Sequence, residues 1–420
     1  MTMDPRKFAH CEHPYPVWHK RKVPFQPAIM VPPGFIERVA RIVELDRELG
    51  EFILSEPDFL SFVEEAVASN LHVSVHLEGN PLSLDQVRRV TRQSLRGRAP
   101  ATVDPATKEI LNHVAVWLMP GELAIPWDVE RICRVHASLF TDADDQARPG
   151  LLRTEQRPIT SDTGEPLLHP APPEHIPDEL RSLFEWTNLQ AAAIAPVVSA
   201  AVFFHEFESI HPFGDGNGRT GRTLFHAYLQ NNGLPNAYRC RMEAELIRDP
   251  ELYYKILGWT DFSGNYTELV DYFLDALVIS YEDAVARFRE KDVGTRLDDV
   301  SLRLVRRAKD SGTWFSVLEA TRWTGGLTEQ TIRNRLNDLV ALKLLNSQGK
   351  TRAKRYRFAD PLADVRDRLR RAASAGPESQ TSRSSAARHI SERRGEERPA
   401  ADLAALQSSG SVDHQIGGHE

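Results

Sequence analysis

The segment Ile210-His211-Pro212-Phe213-Gly214-Asp215-Gly216-Asn217-Gly218-Arg219-Thr220-Gly221-Arg222 constrains this chain most, because it welds a sharply turning loop to the start of a helix. Glycines at the alternate positions 214, 216 and 218 permit dihedrals that other residues resist and let backbone N–H groups approach an anion. Apolar residues then recur at helical spacing until Asn231-Asn232-Gly233 ends the run, so the loop opens a helix whose N-terminal amides face that anion. Arg219 and Arg222, three residues apart, share one face of it.

The chemistry follows from the residue types. Two arginines and a ring of amides neutralise a polyphosphate, and Asp215 is a hard oxygen ligand suited to a Mg²⁺ that bridges phosphates. A histidine titrates near neutral pH, so His211 could take the proton from a hydroxyl attacking the bound phosphate. Pro212 fixes φ beside it, and Phe213 is suited to plug the loop into the core. A glycine-rich turn capping a buried helix would account for the glycines, but gives no shared reason for a histidine, an acid, an asparagine and two arginines in register.

The string resembles the signature of Fic-domain proteins, His-Pro-Phe-x-(Asp/Glu)-Gly-Asn-Gly-Arg-x-x-Arg, with every specified position filled. The resemblance implies a mainly α fold: a Fic-type helical bundle with a β-hairpin flap. It also implies transfer of AMP from ATP to a hydroxyl side chain of a target protein, itself among the candidates. Residue by residue, it makes His211 the general base, Asp215 the Mg²⁺ ligand, Asn217 a phosphate-loop contact, Gly216 and Gly218 anion-hole amides, and Arg219 and Arg222 phosphate holders.

Ser74-Val75-His76-Leu77-Glu78-Gly79-Asn80 is similar to the family's inhibitory pattern, (Ser/Thr)-x-x-x-Glu-(Gly/Asn). On that reading Glu78 pairs with Arg222 and sets a negative charge where the γ-phosphate would sit. Taken alone, the string is a helix end closed by Gly79. Gly150-Leu-Leu-Arg153 resembles the lead into the flap, about 153–171, with a turn at Asp162-Thr163-Gly164 and an edge on which an extended target could pair. Tyr253-Tyr254 resembles the tyrosine pair lining the base pocket, whereas periodicity alone makes these core aromatics. Two further functions stay open: removal of AMP from a modified protein, with Glu78 positioning water, and a DNA-binding regulator in which the Fic core is a sensing module.

The rest of the chain sorts by pattern. Residues 1–36 are a Pro- and His-rich arm, expected to pack irregularly over the body; Cys11 with His10, His13 and His19 lacks the second cysteine of a familiar metal site. Residues 37–100 hold helices and the inhibitory motif, with Ser83 and Gln86 spaced as a capping box. The core spans 101–290, with two helices between about 104 and 145 and two more between about 180 and 207; His136, His205 and His226 read as structural. Residues 297–360 run helix, glycine turn, helix with Thr328 as N-cap, then alternating basic and apolar residues, and resemble a winged helix-turn-helix. Arg333, Arg335, Lys343, Lys350, Arg352, Lys354 and Arg355 concentrate positive charge there, as a contact with DNA phosphates requires, or a solvated face of a packing or dimerisation module. The Ser-, Ala-, Arg- and Glu-rich stretch 371–420 predicts a disordered tail.

Composition narrows the class. A formal charge of −7 argues against a chain that coats nucleic acid or membranes. Three scattered cysteines suit a reducing compartment, and no apolar run reaches membrane-spanning length, so the expected location is cytoplasmic. ATP, a protein target, possible DNA and a possible homodimer partner are the expected associates.

Overall fold

The computed structural model describes residues 3–98, 103–142, 148–161, 163–350 and 353–374. The predicted turn residue Asp162, the basic Arg352 and the tail 375–420 lie outside the described residues. Met1–Arg368 form one compact unit; of the second, Leu369–Glu420, only the end of the last helix is described.

Helices dominate. α1 (Phe35–Glu51) packs on α11 (Thr267–Lys291), and α2 (Glu56–His76) packs on α3 (Leu84–Leu95). α4 (Pro105–Trp117) and α5 (Val129–Phe140) follow, then α6 (Ile176–Leu189), α7 (Pro196–Ile210), α8 (Asn217–Asn231), α9 (Met242–Leu246) and α10 (Pro250–Ser263). Local sequence starts several of them: Ser55, Ser83, Asp104, Asp128 and Asp249 each accept a hydrogen bond from the backbone of the first turn, and Ser83 with Gln86 completes the capping box. α7 buries nearly every residue, Val197 through Phe207 included, so it is the central rod against which α6 and α8 pack.

Within the arm, residues 3–34, the regular elements described are a short 3-10 turn (Pro5–Phe8) and one two-residue strand. β1 (Val17–Trp18) pairs in parallel with β3 (Pro166–His169), which also pairs antiparallel with β2 (Ile159–Thr160), giving the order β1-β3-β2. The hairpin's second strand is therefore central, and one of its edges is closed by the arm. His19 N–H donates to the His169 carbonyl at 2.8 Å, and Trp18 stacks on His169 with centroids 3.9 Å apart. Side chains fix the arm further: Lys22 reaches Glu206 at 2.6 Å and Tyr266 at 2.9 Å, and His19 lies between Glu179 at 2.5 Å and Ser209 at 2.7 Å. Alternation could not register a two-residue strand set by such distant contacts.

Past α11, a second apolar cluster is built by α12 (Asp299–Ser311), α13 (Val317–Thr324), α14 (Glu329–Ala341) and a three-stranded antiparallel sheet. Its strands are β4 (Phe315–Ser316), β5 (Leu345–Gln348) and β6 (Arg355–Phe358), in the order β4-β6-β5. Thr328 caps α14 as its sequence position predicts. Ile53, from the turn between α1 and α2, joins this cluster, and α15 (Pro361–Ser374) sends Arg366 to the Leu118 carbonyl at 2.9 Å.

Candidate active site

α7 and α8 meet at a turn that sets the reactive histidine. His211 caps α7 in the left-handed region at φ 53°, ψ 62°, a conformation uncommon for a residue with a side chain. Arg153 holds it there. This arginine, 5% exposed, donates from Nε to the His211 carbonyl at 2.7 Å and from its other nitrogens to the carbonyls of Ile210, Ala171 and Glu155. Its own N–H donates to the Pro212 carbonyl at 2.9 Å, so the approach to the hairpin and the reactive loop form one braced unit. Burial, with no neighbouring acid to offset it, lowers the Arg153 guanidinium to about 10.

Phe213 anchors the loop as expected of it. It is fully buried and stacks on His136 at 3.8 Å; His136 Nε2 meets the Asp215 carbonyl at 3.0 Å and Nδ1 accepts from the Gly150 N–H at 2.9 Å. His136 thus ties the loop, through Nε2, to the approach to the hairpin, through Nδ1, and burial pushes the imidazole down to about 4. Asn217 closes the loop from the other side, accepting from the Phe213 N–H at 2.8 Å and donating to its carbonyl at 2.9 Å. Gly216 sits at φ 75° as the N-cap of α8, where a Cβ would run into the Phe140 ring.

The two arginines of α8 are engaged by carboxylates. Arg219 donates to Glu78 at 2.8 Å, Glu109 at 2.6 Å and Asp215 at 2.9 Å, with its guanidinium 4.5 Å from the Phe140 ring centre. Arg222 donates to the Ser74 hydroxyl at 2.7 Å, the Ser74 carbonyl at 3.0 Å and Glu78 Oε1 at 2.5 Å. Glu78 therefore bridges both guanidiniums. It follows the last turn of α2, where Gly79 at φ 93° and the Asn80 N–H on the Val75 carbonyl close the helix in a Schellman-type end. The helix-end geometry and the arginine bridge are properties of the same seven residues. A Cβ on Gly218 would meet Glu78 Oε1 and the Arg222 guanidinium, so a side chain there would displace the bridge.

These groups line one cavity of about 230 Å³. It is lined by His211, Asp215, Gly216, Asn217, Gly218, Arg222 and Glu78, by Tyr253, Tyr254, Leu257 and Gly258 of α10, by Ile159, Leu167 and Leu168 of the hairpin, and by Tyr15 and Val17 of the arm. Arg219 lies behind this wall, 4% exposed and held by its three carboxylates. Burial, reinforced by Arg153, lowers His211 to about 4, so its imidazole is neutral near pH 7. The half-exposed Asp215 carboxylate accepts from the Gly216 N–H at 2.7 Å and from Arg219 at 2.9 Å, and lines the cavity with hard oxygens of the kind a Mg²⁺ would take. Tyr253 is 3% exposed and Tyr254 is 36% exposed, 5.4 Å apart in a T-shaped pair.

Sequence reasoning gave no role to Glu109, Glu208 or the arm. Glu109 fixes Arg219 and receives the Asn80 amide at 2.7 Å. Glu208, one turn before His211, lines the cavity and is raised to about 8 by burial, with Arg222 opposing the shift. Its place three residues before the histidine in a buried helix was the available signal. The cysteine–histidine cluster of the arm is dispersed: His19 turns to Glu179 and Ser209, while Cys11 is buried beside His10.

Residues 126–229 match the Fic/DOC family. Over 170 residues, 39% of this chain, the sequence is 28% identical to protein adenylyltransferase fic-1 of Caenorhabditis elegans, covering 31% of that protein. It is 28% identical over 217 residues, 47% of this chain, to protein adenylyltransferase Fic of Aedes aegypti, covering 42% of it. The chain thus spans less than half the length of these curated relatives. The fold is similar to that of a Fic family protein from Desulfovibrio desulfuricans G20, with a TM-score of 0.52 at 24% identity over 80% of this chain and 98% of that one.

Proposed function

Residues 126–229 are a Fic domain, and on that premise we propose that the chain transfers AMP from ATP to a hydroxyl of a protein target, with Glu78 as its brake. The observation that carries this reading is the common cavity of His211, Gly218, Arg222 and Glu78. Amides at the start of α8 and the Arg222 guanidinium take the phosphates, oriented by the helix dipole. The neutral His211 accepts the proton as the target hydroxyl attacks the α-phosphorus; the new P–O bond forms as the bond to the β-phosphate breaks, and pyrophosphate leaves. Asp215 would hold Mg²⁺, whose contribution is to neutralise phosphate charge. Tyr253 and Tyr254 would wall the base.

Glu78 restrains this reaction by occupying the guanidinium that the γ-phosphate needs. Both its oxygens are engaged, on Arg219 and Arg222, which favours a brake over a group that positions water for AMP removal. We read the helices and sheet of residues 297–360 as a winged helix. DNA contact has less support, since Arg335 pairs with Asp298, Arg355 with Glu319 and Lys354 with Asn337.

The test is incubation of the Glu78→Gly protein with ATP, Mg²⁺ and cell lysate, read by intact mass and peptide mapping. AMP on the protein or on a lysate partner, in excess over wild type, is the expected result. Absence of AMP on every protein in the Glu78→Gly reaction would overturn the reading.

A further inference from the structure

The N-terminal arm is held as part of the cavity wall, and the residue it presents there is aromatic. Tyr15 lines the cavity yet is 47% exposed, on a segment fixed on both sides. Downstream, β1 is zipped to β3, and Lys22 and His19 are tied to Glu206, Glu179 and Ser209. Upstream, Glu12 pairs with Lys255 of α10 at 2.5 Å, and the His13 ring packs edge-on against Tyr15 at 4.6 Å and stacks on Phe262 of α10. The arm runs so close to α10 that a Cβ on Gly258 would strike the His13 ring. A larger residue at position 258 would make the His13 ring move.

The same cavity is lined by Tyr254, also half-buried on α10, and by Leu257 of that helix. Large aromatic surface on rigid backbone, facing a cavity rather than the core, is suited to a flat ring. We infer that Tyr15 is a base-stacking residue, which with Tyr254 clamps the nucleobase of the bound nucleotide. This rests on the nucleotide-transfer reading above and extends it: the base site is made jointly by α10 and the arm. Phosphate recognition stays with α8.

The division of labour gives a clean experiment. In the Glu78→Gly, His211→Ala parent, whose transfer is slowed by loss of the base, binding of ATP and of inorganic tripolyphosphate is measured by calorimetry, with Tyr15→Ala, Tyr15→Phe and Tyr15→Trp added. Stacking is worth enough that Tyr15→Ala should weaken ATP about ten-fold while leaving tripolyphosphate unchanged; Phe and Trp should restore ATP binding. A Tyr15→Ala protein that binds ATP as its parent does would overturn the clamp and leave the transfer reading intact. Equal losses for both ligands would assign Tyr15 to holding the arm, and overturn it too. A parent that binds neither ligand would remove the nucleotide reading itself and the clamp with it.

Discussion

Glu78 Oε1 lies 2.5 Å from a terminal nitrogen of Arg222, while Oε2 lies 2.8 Å from Arg219 Nε, so one carboxylate spans two guanidiniums on the same helix face. The arginines are 4–6% exposed and the glutamate 19%, so water screens the contact poorly. A polyphosphate entering the cavity must displace this carboxylate or bind beside it.

Replacing Glu78 by Gly should raise AMP transfer by about 5–150-fold, the usual range for removing a competing coupled contact. Arg222→Ala in the same protein should cancel the gain, because the released guanidinium is the activating group. Stability without ATP should fall by up to about 3–5 kcal/mol, moderated by the Ser74 bonds that Arg222 keeps. Transfer by mass spectrometry and thermal melts of the three proteins check this; activity unchanged on removing Glu78 would acquit it as the brake.

His211→Ala should lower the transfer rate by about 10²–10⁴ with ATP affinity nearly unchanged, since the imidazole acts on the incoming hydroxyl. Single-turnover rates and calorimetric binding separate these effects. Full activity in this variant would dismiss the histidine as base.

The pH profile should carry the mark of burial. With the folded pKa of His211 at about 4, the base is already deprotonated at pH 5.5, so the transfer rate of the Glu78→Gly protein should show no histidine inflection near 6.5 and fall only toward pH 4. A half-maximal rate at pH 6.5 would contradict this.

Glu208 makes the opposite pH signature in stability. Its folded pKa is about 8 against 4.5 for the free side chain, so between those values the native state holds a proton that the unfolded chain releases. Its contribution is present below pH 4.5 and is lost as pH rises to 8, by up to about 1.4 kcal/mol per pH unit. Glu208→Gln should therefore gain on wild type as pH rises from 5 to 8. Melting curves whose difference stays constant across that range would refute the assignment.

Arg153→Lys keeps the charge but cannot span the carbonyls of His211, Ile210, Ala171 and Glu155. Leaving such acceptors unpaired costs about 1–3 kcal/mol each, so the variant should melt markedly earlier and lose transfer activity through a misplaced His211. An unchanged melting temperature would show the brace to be dispensable.

The sequence by itself determined the parts whose meaning is local. The glycines of the loop, the helix that begins at Asn217, the caps at Ser83 and Thr328, and the helix end at Gly79 all follow from dihedral preference and nearby hydrogen bonds. The loop's residue types likewise made a phosphate-binding chemistry readable. Tertiary structure alone decided what lies opposite these groups: Glu109 on Arg219 from 110 residues away, Arg153 beneath His211, and the arm laid along the hairpin so that Tyr15 reaches the cavity. Such contacts leave no periodicity, because each joins residues whose neighbours in sequence follow different rules. A buried Glu208 shows the same point: its type is written in the chain, but a carboxyl pushed up to about 8 is a property of the dry wall that folding builds around it.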